Sequence, residues 1–370
     1  MKALLIPAML CMATVTLAQG TFSVKNETAL PRKEVISIPY AQFQHEFGLD
    51  TNFVVKDHAG NLIVHQVEYR GENQAQNILI LVEVADRSSS EYKVEAGKPL
   101  HTPSKTYARY VPERYDDFAW ENDKVGFRMY GKALEGRADD AQGMDYWAKR
   151  TDKLVINSWY KSEDYHRDHG EGLDYYSVGN TLGAGDLAIF EKDKLQYTKH
   201  YRNYQILDNG PLRTTFVLNY DPQDFDGQTI ALKKTIQLDA GSHFNKISVQ
   251  LDNSEKKVTR IVLGIAKRKE QQPNYGWNPE KRTLSYWEPN VQENGHTGIA
   301  LILPKGKHKL HANDEAQFLV ETDIRNGKPF VYYNGAAWDR EGTVANAEQW
   351  KTFVRDESIK LEKPLHVKFN

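Results

Sequence analysis

Apolar and polar positions alternate along most of this chain in short runs. Phe216, Leu218 and Tyr220 alternate with polar neighbours, as do Ile247, Val249 and Leu251. A period of two turns one side of an extended segment to a core and the other to water, so these runs predict β-strands. Similar apolar-rich runs occupy 35–38, 61–67, 77–84, 214–220, 229–238, 245–251, 260–265, 298–303, 317–322 and 329–333. Asp221-Pro222 and Asp239-Ala240-Gly241 supply turn chemistry between them. No helical periodicity longer than a few turns is evident. The spacing predicts a mainly β fold: a small β-sandwich followed by a large antiparallel sandwich. The segment Pro99 to Pro103 marks the joint, giving a small domain over 19–102 and a main domain over 103–370.

The first residues break this texture. Met1-Lys2 is a short basic start, Ala3 to Leu17 is almost wholly apolar, and Thr16-Leu17-Ala18 ends in small residues. This reads as a secretory signal peptide over 1–18, too short to span a membrane. The single cysteine, Cys11, falls inside it, so no disulfide or thiol chemistry is expected in a secreted, periplasmic product. A formal charge of −2 without basic blocks gives no footprint for nucleic acid or membrane insertion. Aromatics are abundant, with Tyr 20, Phe 14 and Trp 7. They suit sugar rings as well as sheet cores; Trp120, Trp147 and Trp159 are candidates for either role.

Two segments are dense in chemistry. The first, Tyr165-His166-Arg167-Asp168-His169-Gly170-Glu171-Gly172-Leu173-Asp174-Tyr175-Tyr176, has no periodicity and reads as a loop. Titratable groups crowded around glycines on a loop point to a ligand; the plainer alternative is a solvated loop with incidental charges. In the second, Val125, Phe127 and Met129 alternate with Gly126, Arg128 and Tyr130. Arg128 and Tyr130 would then share a strand face, where a guanidinium can hold a carboxylate through paired hydrogen bonds. An ion pair with Glu121 or Asp123 is the competing reading.

The strings Arg114-Tyr-Asp-Asp-Phe-Ala-Trp-Glu-Asn-Asp123 and Tyr165 to Tyr176 resemble a family long catalogued as a domain of unknown function in polysaccharide-degrading Bacteroidota. Val178-Gly-Asn-Thr-Leu-Gly-Ala-Gly185 and Asn209-Gly-Pro-Leu-Arg213 extend the resemblance over nearly the whole chain. It implies an oligosaccharide dehydratase like those acting on ulvan fragments, which take water from a non-reducing-end uronic acid and leave a 4,5-unsaturated uronate. It also implies that the main domain is a large antiparallel supersandwich of the galactose-mutarotase-like kind, as in several polysaccharide lyases.

Such an elimination takes a proton beside a carboxylate, so it needs a base, an acid for the departing hydroxyl and a positive group at the carboxylate. The candidates are His169 as leading base or acid, His166 or Tyr175 as its counterpart, and Arg128 as carboxylate partner. Arg114, Trp120, Tyr130, Lys149, Arg150, Glu171 and Tyr176 are candidates for substrate binding. No cofactor is required. The alternative is a divalent metal at His166, Asp168, His169 and Glu171, although their spacing matches no standard zinc motif. A polysaccharide lyase acting by β-elimination on a uronate polymer would need almost the same parts, and a non-catalytic carbohydrate-binding protein would explain the aromatics alone. The glycine-rich run 179–186 reads as a flexible loop beside the groove, with Asp186 a contact. His200, Tyr201, Arg202 and Tyr204 line that cleft or form an exposed strand face. His243, His296 and His308 read as structural.

Overall fold

The computed structural model describes residues 19–162 and 164–370, so the expected signal peptide at 1–18 lies outside the described residues. The fold is mainly β, with antiparallel strands forming five sheets that divide into two sandwich units.

The first unit is a small sandwich. One sheet contains Gln19–Lys25, Phe53–Lys56, Leu62–Ile63 and Ser89–Ala96, and the other Arg32–Pro39, His65–Glu68 and Asn77–Val84. Their facing apolar positions, including Phe22, Val24, Val55, Ile38, Ile80 and Val82, make one core, which Phe43 and Phe47 of the helix Tyr40–Phe47 complete. The last strand, His366–Phe369, returns to this unit and pairs with Gln19–Lys25. A chain segment expected in the main domain therefore closes the small one.

The second unit is the supersandwich. An eight-stranded sheet runs in the order Asn203–Asn209, Arg213–Phe225, Gln228–Asp239, Phe244–Asn253, Phe330–Trp338, Thr297–Ile302, Thr283–Trp287, Asn274–Asn278. Its inner face packs on two five-stranded sheets, one built on Ala184–Glu191, Val258–Ala266 and Gln317–Arg325, the other spanning Thr106–Val111 to Gly172–Leu173. Phe216, Ile236, Ile247 and Tyr332 meet Phe118, Trp120, Phe127 and Tyr146 from one sheet and Leu187, Leu263 and Val320 from the other.

Three local expectations are corrected. Asp221-Pro222 is not a turn. It lies within Arg213–Phe225 at a register shift between Tyr220 and Gln223, where a bulge tolerates a residue that has no N–H to donate. The run 179–186 is no free loop beside a groove, because it enters the strand Ala184–Glu191 and Asp186 is buried against Lys234. A helix, Ala347–Glu362, lies on the outer face of the eight-stranded sheet. Asn346 caps it by accepting from the Gln349 N–H at 3.0 Å, and its Trp350 sits directly over Gly298, where a Cβ would come within 2.7 Å of the indole.

Candidate active site

The sheet ordered Gly172–Leu173, Met144–Lys149, Gly126–Met129, Asp117–Asn122, Thr106–Val111 builds the site. Alternation sends Phe118, Trp120, Phe127, Met129 and Tyr146 into the main core. It therefore sends Asp117, Arg128 and Asp145 to the opposite face, with Arg128 directly across from Asp145. The helix Ile156–Lys161 and the loop after it cover this face, packing Ile156, Trp159 and Tyr165 on Ala119 and Trp147. Glu121 anchors the cover by accepting from the Val155 and Ile156 N–H groups at 2.9 and 2.7 Å. Gly172 lets the loop rejoin the sheet edge. Its φ is +117°, and a Cβ there would lie 2.0 Å from the Ala148 carbonyl oxygen.

The loop and the Arg128 strand meet at Asp174. Buried Arg128 donates from Nε to Asp145 at 2.9 Å and from Nη2 to Asp174 at 3.2 Å, and its Nη1 lies 3.5 Å from Asp117. Its guanidinium also stands over the Tyr130 ring, 4.9 Å from the centroid. Three carboxyl groups facing one guanidinium in a buried place cannot all stay ionised. Burial accordingly pushes Asp174 well above the usual carboxylate range, raises Asp145, and pushes Asp117 up to about 7. Asp117 keeps one oxygen, Oδ1, without a hydrogen bond among the described residues, while the Tyr160 hydroxyl donates to Oδ2 at 3.4 Å. The His166 ring lies against Tyr165, tilted by 35° with centroids 4.3 Å apart, and its Nδ1 is 2.9 Å from the Asp174 carbonyl oxygen. Its imidazole is more than half exposed. Arg114 is half-buried, acts electrostatically on Asp117 and Asp174, and has no ion pair among the described residues.

The other candidates lie apart from this cluster. His169 points away, with Nε2 3.2 Å from the Asp164 carbonyl oxygen on the exposed side of the loop. Asp168 accepts from the Gly170 and Gly172 N–H groups and pairs with Arg150 at 2.8 Å, and Glu171 pairs with Lys153 at 2.9 Å. His166, Asp168, His169 and Glu171 therefore each face a different partner. Among the described residues no group of three or more His, Cys, Asp or Glu gathers in a way that would hold a metal ion. Lys149 is wholly buried and donates to Glu121 and to the Asn122 carbonyl, both at 2.6 Å. Trp120 lies in the core with Nε1 donating to Asn245, and Trp147 and Trp159 are buried under the loop. None of these three indoles presents a face to a ligand.

Tyr175 and Tyr176 project to the far side of the loop. The Tyr175 hydroxyl is 2.5 Å from Thr297 Oγ1, and Tyr176 lies 4.4 Å beneath the Arg268 guanidinium. Arg268 pairs at 2.9 Å with buried Glu288, whose carboxyl burial pushes up to about 7. Sequence reading missed Asp117, Asp145, Asp174 and Glu288. For Asp145 a signal was present: it alternates between inward Met144 and Tyr146, in phase with outward Arg128 on the neighbouring strand. Glu288 carried none, because it continues an apolar strand end.

Two solved structures share this fold at 9% identity. One is a protein in glycosyl hydrolase family 38 from Enterococcus faecalis, with a TM-score of 0.56 over 95% of this chain and 47% of that one. The other is an alpha-mannosidase from Enterococcus faecalis V583, with a TM-score of 0.54 over 95% and 46%. The chain thus spans about half the length of the structures it matches. "Uncharacterized protein P7" of Formosa agariphila is 30% identical over 93% of this chain and 92% of its own length. The model of the domain of unknown function DUF4861 matches residues 24–367, and the chain belongs to that family.

Proposed function

We propose that this is an exported carbohydrate-active enzyme that eliminates water from the non-reducing-end uronic acid of an acidic oligosaccharide, leaving a 4,5-unsaturated uronate. The resemblance of its sequence motifs to oligosaccharide dehydratases, and a fold shared with a glycosyl hydrolase family 38 protein and an alpha-mannosidase, support a carbohydrate substrate. The observation that carries the reaction class is Asp117, a carboxyl pushed up to about 7 with one oxygen lacking a hydrogen bond. A base poised near neutrality is what proton abstraction beside a carboxylate needs.

In this reading Arg128 is not the substrate's partner, since three aspartates already occupy its guanidinium. Arg114 takes that role, drawing the uronate carboxylate to the rim and offsetting the charge that builds there. Asp117 takes the C5 proton. The C5–H electron pair forms the C4=C5 double bond, the C4–O bond breaks, and the hydroxyl leaves as water with a proton delivered by His166. Exposure lets His166 reload from solvent.

Uronic-acid-terminated oligosaccharides should lose one water by mass spectrometry and gain ultraviolet absorbance, without chain cleavage. Asp117→Asn, nearly isosteric, should cut turnover by about a hundredfold or more, and Arg114→Gln should chiefly raise KM. Wild-type turnover by folded Asp117→Asn protein would remove Asp117 from the mechanism. Two fragments from a polymer, in place of one lost water, would make the protein a lyase.

A further inference from the structure

On the other side of Asp117, across the turn formed by Tyr115 and Asp116, lies a cavity of about 230 Å³ lined by Tyr110, Asp116, Lys132, Tyr201, Arg202, Asn203 and Tyr204. It is smaller than the roughly 300 Å³ at which pockets for drug-sized molecules begin, a size that suits a single sugar ring.

The wall carries an aromatic platform. Tyr204 stacks one face on Tyr110, with centroids 4.9 Å apart and planes 19° off parallel, yet stays 42% exposed. The Tyr110 hydroxyl donates to Asp116, and that bond holds the phenol up at about 12, so Tyr110 stays protonated and the stack stays fixed. Lys132 is exposed and has no ion pair among the described residues, in a wall where Arg202 is already tied to Glu135 at 2.8 Å.

The turn between cavity and cluster is held in a costly form. Tyr115 and Asp116 both adopt left-handed backbone, with φ of 52° and 64°, a region that is strained for residues with a side chain. The Tyr201 hydroxyl fastens it by donating to the Asp116 carbonyl oxygen at 2.5 Å. Gly131 lies so close that a Cβ would come within 1.9 Å of that oxygen. Consecutive residues thus face opposite ways, with Asp116 in the cavity and Asp117 in the buried cluster.

We infer that this cavity is a second sugar-binding subsite, separated from the buried cluster by the turn, in which Tyr204 stacks on a further pyranose ring of the same oligosaccharide and Lys132 meets an anionic substituent on it. The inference rests on the proposed reading for the identity of the ligand, but its test is binding and not turnover.

Uronic-acid-terminated di- and tetrasaccharides would be titrated calorimetrically into wild type, Tyr204→Ala, Tyr204→Phe and Lys132→Gln. Tyr204 and Lys132 are exposed, so folding should be preserved, and circular dichroism checks it. Tyr204→Ala should lower the ratio of tetrasaccharide to disaccharide affinity about tenfold, Tyr204→Phe should restore it, and Lys132→Gln should weaken the salt dependence of tetrasaccharide binding. An unchanged ratio in Tyr204→Ala, or a wild type that binds neither sugar, overturns the subsite. If Tyr204→Ala lowers the ratio but wild type yields no unsaturated product, the subsite stands and the dehydratase reading fails.

Discussion

At the scale of single residues the site is governed by a charge imbalance. One guanidinium serves Asp117, Asp145 and Asp174, and the fold accommodates the excess by keeping protons bound. This has a consequence for stability. Asp117 rises from 3.8 to about 7 and Glu288 from 4.5 to about 7 on folding, so between those values the native state binds more protons than the unfolded chain. Each of these two groups then contributes stability that is lost as pH climbs from about 4 to about 7, by up to about 1.4 kcal/mol per pH unit. Groups held low act with the opposite sign: Glu95, at about 2 beside Lys56 and Lys93, below that window, and His65 and His308, lowered by burial, within it, so the comparison of wild type with a variant isolates the Asp117 contribution. Denaturant titrations across it should show the decline in wild type and a shallower one in Asp117→Asn. Parallel slopes would mean that Asp117 titrates normally. The residue scale is also where sequence reading was weakest. His166 and His169 are equivalent in an aperiodic loop, and only the backbone path sends one toward Asp174 and the other toward Asp164.

At the scale of elements, legibility followed period. Strands such as Asn77–Val84 and Gln228–Asp239 were plain because one face is buried along their length. Arg128 could be set opposite Phe127 and Met129 by the same logic. The helix Ala347–Glu362 was not visible, because its buried stripe is only Trp350, Val354 and Ser358, one of them polar. Nor does any local pattern report that Arg128 faces three aspartates, since two come from other strands and the third from a loop. That third one depends on Gly172. Gly172→Ala would force a Cβ against the Ala148 carbonyl and strain a φ of +117°, costing about 2 kcal/mol or more. It should displace Asp174 from Arg128. The expected outcome is a lower Tm together with a shifted His166 proton resonance. A variant with wild-type Tm and spectrum would show that the edge strand can rebuild without glycine.

At the scale of the whole molecule the two sandwiches are joined by more than the joint near residues 97–105. The chain leaves the supersandwich through the helix Ala347–Glu362 and ends in the small unit, where Phe369 contacts Phe22 and Phe47 at 6.4 and 5.7 Å between ring centroids. This closure was unreadable in sequence, because 366–369 is too short and too half-buried to announce which sheet it joins. It couples the units: loosening the last strand should expose the core of the first sandwich while leaving the sheet that carries Arg128 intact. Phe369→Ala should therefore cost about 2 kcal/mol of apolar burial, felt mainly in the small unit. Hydrogen exchange should speed at Phe22 and Val24 and stay slow at Phe127 and Ile247, and turnover per folded molecule should be retained. Equal loss of protection in both units would instead mean that they unfold as one cooperative body, and that the small sandwich is part of the scaffold that holds the Arg128 cluster in place.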